Sequence, residues 1–165
     1  MPKAAVLMGS DSDFTIVQGT IRALKFFGVA YDVRVLSAHR TPDAAADFAK
    51  NAMNNGIEVI ITAAGKAAHL AGVIAAHTTL PVIGIPVKST ALDGMDALLS
   101  TVQMPPGIPV ATVGIDAGEN AGLLAVQMLA LKYPMLTDAL VQHKKVLAMK
   151  VEERNEKIQA EVAKI

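Results

Sequence analysis

The stretch VRVLSAHRTPDAAADFAK, residues 33–50, contains the three parts of one repeating structural unit. Its first residues are apolar and β-branched, and such residues favour a β-strand. The run stops at Ser37, Ala38, His39 and Arg40, and a proline two residues later stands where the first turn of a helix tolerates it. The stretch therefore predicts a strand, a chemically active turn and a helix in succession.

The same succession recurs along the chain. Short runs rich in valine and isoleucine lack polar alternation, which indicates strands buried on both faces of a parallel sheet. The predicted strands are residues 4–8, 31–36, 58–63, 81–87 and 109–115. The predicted helices lie near residues 13–27, 41–55, 67–78, 93–101 and 121–131. Gly28 and Gly56 stand where the first two helices should stop, and the alternation predicts a doubly wound α/β fold.

The chain length predicts one domain, since 165 residues can bury a single core of ordinary size. Within residues 1–165 we expect a catalytic core at about 3–133 and a helical tail at about 134–165. In the tail, apolar residues recur at roughly helical spacing, which predicts a long amphipathic helix. Its apolar stripe needs a partner, either the flank of its own domain or another subunit.

Composition narrows the functional classes. Lysine plus arginine equal aspartate plus glutamate at 15 each, so no net charge attracts the chain to nucleic acid or to an acidic membrane. The chain has no cysteine, which excludes disulfides, thiolate metal sites and a cysteine nucleophile. We see no signal peptide and no apolar run long enough to span a bilayer, and expect a soluble cytoplasmic protein. Nucleotide-triphosphatase, serine-hydrolase and zinc-protease motifs are absent, and the scattered histidines do not predict a metal site.

Three loops carry the unusual side chains. If the strand order is 2-1-3-4-5, the loops after the first three strands are neighbours at the carboxyl edge of the sheet, where such folds bind ligands. The first loop reads MGSDSD, and its Ser10 and Asp13 could bind a phosphate or a ribose. Serine and aspartate are also the preferred residues for capping a helix, so a capping role remains open.

The second and third loops supply cations and histidines. Arg40 can grip a phosphate, Ser37 can donate a hydroxyl to it, and His39 can transfer a proton near neutral pH. In the third loop, Gly65 permits a close backbone approach, and Lys66 and His69 follow it. The alternatives are that Arg40, Lys66 and His39 are ordinary surface residues and that His69 is a hydrogen-bonded core histidine. His77 and His143 have no comparable context and are expected on the surface.

Five motifs occur in order: MGSDSD, SAHRTPD, AGKAAHLAGVIAAHT, PVIGIPV and STVQMPPGIPVATVGI. Together they resemble the class I N5-carboxyaminoimidazole ribonucleotide mutases of bacterial purine biosynthesis. The resemblance implies a flavodoxin-like three-layer domain, a homo-octamer with active sites at subunit contacts, and no metal or organic cofactor. It implies an isomerase that moves a carboxylate from the exocyclic nitrogen to ring carbon C4 of an aminoimidazole ribonucleotide, a phosphorylated small molecule.

The same resemblance assigns roles to individual residues. Phosphate and ribose contacts fall on Ser10, Asp13, Ser37 and Arg40. The proton-transfer histidine falls on His39. The pocket for the carboxylate or CO2 falls on Ala64, Gly65, His69 and Leu70.

Two residues depart from the pattern of the resembled family. Lys66 replaces a glycine in the substrate pocket, and the related class II enzymes, which carboxylate the ribonucleotide directly with CO2, have an arginine there. A direct carboxylase is therefore the alternative enzyme, and a non-catalytic module that binds a phosphorylated ligand is the alternative outside enzymes. Pro106 stands where an arginine is common.

Overall fold

The computed structural model describes all residues from 1 to 165. Five parallel strands form one sheet in the order β2-β1-β3-β4-β5, the flavodoxin-like order expected from the sequence. The strands are β1 Lys3–Met8, β2 Ala30–Val35, β3 Val59–Gly65, β4 Val82–Val87 and β5 Ala111–Thr112. The helices are α1 Phe14–Phe26, α2 Pro42–Asn51, α3 Leu70–Ala76, α4 Met95–Val102, α5 Gly118–Ala130 and α6 Pro134–Val162.

The sheet separates two apolar layers. Alternate residues of β1 point to opposite faces, so Val6 belongs to the cluster formed with α1 and α5, and Leu7 belongs to the cluster formed with α2 and α3. The central strands β1, β3 and β4 are buried almost throughout. Gly28 and Gly56 have left-handed backbones, with φ of +69° and +75°, and end the first two helical segments as predicted.

The two outer strands differ from the expectation of burial on both faces. Tyr31 and Val35 in β2 are exposed, because β2 has a neighbour on only one side. The predicted strand at residues 109–115 is reduced to Ala111–Thr112, and neither residue is fully buried. Pro109 cannot donate a backbone hydrogen bond, which disfavours a strand that begins there. Beyond Thr112, the Asp116 N–H still donates to the Pro86 carbonyl of β4 at 2.9 Å.

The tail is one long helix, α6, that begins at Pro134 as expected. A cluster of three side chains holds its start on the body of the protein: Glu58 accepts hydrogen bonds from the Tyr133 hydroxyl at 2.6 Å and from the Lys132 ammonium at 2.8 Å. Leu136 is buried against the α1–α5 layer, whereas every residue from 144 onward is exposed. No helix in the protein combines the length and apolar character needed to cross a membrane.

Candidate functional site

A cavity of about 650 Å³ lies at the carboxyl edge of the sheet. Its walls come from the segments that follow β1, β2, β3 and β4, which we call loop 1 (residues 9–13), loop 2 (37–41), loop 3 (66–69) and loop 4 (88–94). All ten residues singled out from the sequence line it: Ser10, Asp13, Ser37, His39, Arg40, Ala64, Gly65, Lys66, His69 and Leu70. The strand order thus brings together residues that are distant in the chain.

Loop 1 caps a helix and lines the cavity at the same time. The Ser10 hydroxyl accepts a hydrogen bond from the Ser12 backbone N–H at 3.3 Å, at the start of a short 3-10 turn that leads into α1. The capping interpretation is therefore correct for Ser10, but it does not remove the side chain from the cavity wall. Backbone N–H groups at such a helix start, together with the hydroxyls, suit an anionic ligand.

Asp13 is the buried acid of this site. Its side chain accepts a hydrogen bond from the Ser12 hydroxyl at 3.3 Å. Burial raises the pKa of the Asp13 carboxyl above its ordinary value and outweighs the hydrogen bonds from Ser12 and Ser10, which lower it. An unpaired, partly desolvated carboxylate that lines a cavity is suited to accept hydrogen bonds from ligand hydroxyls.

Loop 2 is braced by its own hydrogen bonds. The Ser37 N–H donates to the Thr41 hydroxyl at 3.0 Å, and that hydroxyl donates to the Ser37 carbonyl at 3.1 Å. The Ser37 hydroxyl accepts from the Arg40 backbone N–H at 3.1 Å. The Arg40 guanidinium donates to the Gly9 carbonyl at 2.9 Å, which joins loop 2 to loop 1 and leaves further N–H groups for a ligand.

The two histidines of the cavity contact each other. His39 Nε2 lies 2.7 Å from His69 Nδ1, with the rings nearly perpendicular at 85°. One of these two nitrogens carries the hydrogen of this bond, so each ring fixes the tautomer and orientation of the other. The sequence predicts both residues at the site but does not predict their contact. His69 is exposed, which excludes the alternative that it is a core histidine.

The junction of β3 and loop 3 has two positions that favour glycine, residues 65 and 66. A side chain at Gly65 would come within 3.2 Å of the Val87 carbonyl on β4, so the close approach at this residue is to the neighbouring strand. Lys66 has a φ of +55°, in the left-handed region. That conformation explains why a glycine is expected at this position, and a lysine there costs about 1 kcal/mol in backbone strain.

Loop 4 contributes a wall that the sequence analysis missed. Lys88, Ser89 and Thr90 line the cavity beside Val87 at the end of β4, although no motif marks residues 88–90 in the sequence. Only their position directly after a predicted buried strand could have indicated that they lie at the cavity. Pro106, the second departure from the family pattern, is exposed and does not line this cavity.

The remaining histidines lie elsewhere. His77 is exposed at the end of α3, as expected. His143 was expected on the surface, but it is half-buried and packs edge-on against Phe26 and Phe27 at centroid distances of 5.9 and 5.5 Å. The helical stripe of α6 places it there, since it lies on the same helix face as Leu140. Nowhere in the chain are three or more His, Asp or Glu side chains grouped so that they could hold a metal ion.

A comparison with protein families identifies the chain. The profile of the AIR carboxylase family matches residues 3–150, which include every residue of the cavity wall. The chain belongs to this family.

Relatives in the AIR carboxylase family are similar over nearly the whole chain. The N5-carboxyaminoimidazole ribonucleotide mutase of Pyrococcus horikoshii is 52% identical over 158 residues, covering 96% of this chain and 89% of the relative. The mutase of Mycobacterium tuberculosis strain H37Rv is 49% identical, covering 99% and 94%. The crystal structure of Treponema denticola PurE superposes with a TM-score of 0.85 at 29% identity, covering 95% and 98%.

The buried carboxylate of Asp13 gives a testable prediction about stability. Because burial raises its pKa, ionised Asp13 lowers the stability of the folded state near pH 7, so Asp13→Asn should raise the Tm there by a few degrees at most. The gain should fade as the pH approaches 3.8, where the unfolded carboxyl is itself half protonated. Thermal unfolding from pH 7 to pH 3.5 checks this, with Asp47→Asn, at an exposed position of α2, as the matched control. A lower Tm for Asp13→Asn at pH 7 would contradict it.

Proposed function

We propose that the chain is a 5-(carboxyamino)imidazole ribonucleotide mutase, an isomerase that moves the carboxylate from N5 to C4 in purine biosynthesis. The observation that supports this most directly is that one cavity holds His39 beside the polar side chains of loops 1 and 2. The sequence is also 52% identical to that of the Pyrococcus horikoshii mutase. The substrate is a phosphorylated imidazole ribonucleotide. The proposed catalytic group is His39, and neither a metal nor an organic cofactor takes part in the proposed steps.

Positioning is the proposed work of loops 1 and 2. Ser10, Ser37 and Arg40 hold the phosphate, and Asp13 accepts hydrogen bonds from the ribose hydroxyls. Support comes from the bond between Arg40 and the Gly9 carbonyl, since a guanidinium fixed at the junction of both loops can contact one phosphate together with both serines. Fixing the phosphate in this way orients the imidazole ring for proton transfer.

His39 is proposed to transfer a proton in each half of the reaction, first as an acid and then as a base. It first gives a proton to N5, so that the N5–carboxylate bond breaks and releases CO2 with its bonding electrons left on nitrogen. The C4 carbon then attacks the trapped CO2, and His39 takes back the proton that C4 loses. The bond to His69 supports this assignment, because a fixed imidazole keeps the same nitrogen available for both transfers.

The CO2 is proposed to stay beside loop 3 between the two steps. Ala64, Gly65, His69 and Leu70 form that part of the wall, and the small or apolar residues Ala64, Gly65 and Leu70 are proposed to leave room for a linear molecule beside His69. Lys66 lies on the same wall and is proposed to contact the substrate. Escape of CO2 would leave the decarboxylated ribonucleotide, so enclosure of this region is part of the proposed mechanism.

Lys66 favours one alternative reaction. A cation on the cavity wall could hold bicarbonate or a carboxylate, which a direct carboxylase of the aminoimidazole ribonucleotide requires. The two reactions differ in their substrates: the mutase needs the N-carboxylated ribonucleotide, and the carboxylase needs the free amine together with CO2.

A substrate test separates these reactions. We expect the protein to convert the N-carboxylated ribonucleotide to the C4 acid without added bicarbonate, at least 100-fold above the uncatalysed rate. Ultraviolet absorbance of the C4 acid follows the conversion. Product formation only from the free amine with added bicarbonate would select the carboxylase, and no conversion in either assay would remove both.

Two variants separate an enzyme from a binding module. His39→Asn should lower kcat by about 100-fold or more with little change in substrate affinity, because it removes the proton carrier. Arg40→Ala should instead raise KM and weaken binding, because it removes a charged contact to the phosphate. Steady-state kinetics and calorimetric binding measure both effects. Small and equal effects of the two substitutions would favour the binding module.

We also propose that copies of the chain assemble, and α6 provides the support. Leu136, Leu140 and Leu147 lie on one face of this helix, and Val151, Ile158 and Val162 continue that face beyond the body of the subunit. These last three are 64%, 61% and 56% exposed, so the chain itself does not cover them. We propose that a second copy does. The octamer is proposed on the family resemblance alone.

Charged substitutions on this stripe should reduce the assembly. We expect the triple variant Val151→Glu, Ile158→Glu, Val162→Glu to have a lower mass by light scattering, because the charges would be desolvated in the interface. Met149→Glu is the matched control, since Met149 is 61% exposed on the opposite side of α6. An unchanged mass for the triple variant, or a wild-type mass near 17.2 kDa, would contradict the proposed interface.

Three broader expectations are also proposals. We propose that residues 1–165 act as a single domain, with the core at about 3–133 supplying the cavity and the tail at about 134–165 supplying the contact between copies. We propose a cytoplasmic location because purine biosynthesis uses soluble phosphorylated substrates. We propose no contact with nucleic acid or membrane.

A further inference from the structure

Two lysines lie side by side at the carboxyl edge of the sheet. Gly65 on β3 is paired in register with Val87 on β4, and each is followed at once by a lysine, Lys66 and Lys88. Neighbouring parallel strands are about 4.8 Å apart, so the backbones of the two lysines begin that close together. Both residues line the cavity.

These lysines differ in their partners within the chain. The Lys88 ammonium lies 3.1 Å from the Asp93 carboxylate of the same loop, whereas Lys66 takes part in none of the ion pairs of the protein. Asp13 is the carboxylate that lines this cavity, and it belongs to loop 1 on the other side of β3. Asp93 therefore pairs with Lys88 alone and Lys66 has no carboxylate partner, which leaves this end of the cavity able to accept an anion.

The bond between Lys88 and Asp93 is easily exchanged. Its side chains are 57% and 83% exposed, and ion pairs at such exposure contribute little to stability. The backbone of Lys88 is held separately, because its N–H donates to the Asp116 carboxylate at 2.9 Å. The ammonium can thus leave Asp93 for another anion without moving the loop. Asp93 has a left-handed backbone with a φ of +52°.

We propose that Lys66 and Lys88 together bind the carboxylate group that the reaction moves. When no ligand is bound, Asp93 forms an ion pair with the Lys88 ammonium. This inference rests on the proposed function and assigns a second anion site to the same cavity. Loop 2, with Arg40, follows β2, and loop 4 follows β4, three strand spacings or about 14 Å away. With the phosphate at Arg40, the other anionic group of the ligand is left for the lysine pair.

Binding of two ligands that differ by one carboxylate tests the pair. The ligands are the aminoimidazole ribonucleotide with and without a carboxylate at C4, and isothermal calorimetry measures both affinities. Lys88→Met should lower the affinity for the carboxylated ligand about 10-fold and change the affinity for the other ligand by less than about 2-fold. The reason is that only the carboxylated ligand forms the charge-assisted bond that the substitution removes. Lys66→Gly should give the same selective loss. Lys144→Met, on the exposed part of α6, is the matched control and should change neither.

Asp93 gives an effect of opposite sign. Asp93→Asn removes the competing charge while asparagine tolerates the left-handed backbone, so it should tighten the carboxylated ligand by about 2-fold to 5-fold. The gain should vanish in the Lys88→Met background if Asp93 acts through Lys88. Thermal unfolding of each variant confirms that the protein is folded in every titration.

The outcomes separate this inference from the proposed function. If the wild type converts its substrate but Lys88→Met weakens both ligands equally, or neither, the lysine pair does not recognise the carboxylate and the mutase proposal is unaffected. A loss of affinity in Asp93→Asn would also overturn the inference. If the wild type binds neither ribonucleotide, the proposed function itself is wrong, and the lysine assignment falls with it.

Discussion

The parallel pairing of β2, β1, β3 and β4 is the constraint on which the cavity depends. Parallel strands end at the same edge, and each hydrogen-bonded neighbour is about 4.8 Å away, so four turns distant in the chain become the walls of one space. The register fixes the details: Met8 is level with Val35 and with Ala63, and Gly65 is level with Val87. A slip of one residue would turn the alternating side chains to the wrong face and separate the loops.

Local charge, rather than net charge, gives this cavity its affinity for anions. The chain as a whole is neutral, with 15 basic and 15 acidic residues. Nevertheless Arg40, Lys66 and Lys88 line one cavity in which Asp13 is the acid. Each cation comes from a different loop, so the fold concentrates charges that the sequence distributes evenly. Burial raises the pKa of the Asp13 carboxyl above its ordinary value.

Backbone strain is concentrated at the same edge. The residues other than glycine with a positive φ are Lys66, Asp93 and Asp116, and they follow β3, β4 and β5 respectively. Each bears a charge, and the two aspartates contact Lys88: Asp93 accepts from its ammonium and Asp116 from its backbone N–H. Such strain persists where surrounding contacts enforce it, and it commonly marks places where a protein binds or reacts.

The sequence by itself determined the secondary structure and the identity of most cavity residues. Apolar β-branched runs, capping serines and the glycines at positions 28 and 56 act over a few neighbours, so their effect can be read locally. The sequence was less informative about the outer strands β2 and β5, since their burial depends on which elements pack against them in the folded protein. The contacts of His39 with His69 and of His143 with Phe27, and the placement of Lys88 beside Lys66, were decided only by the tertiary structure. These contacts join segments that only the pairing of strands and packing of helices bring together, and no local preference of either segment encodes the distance between them.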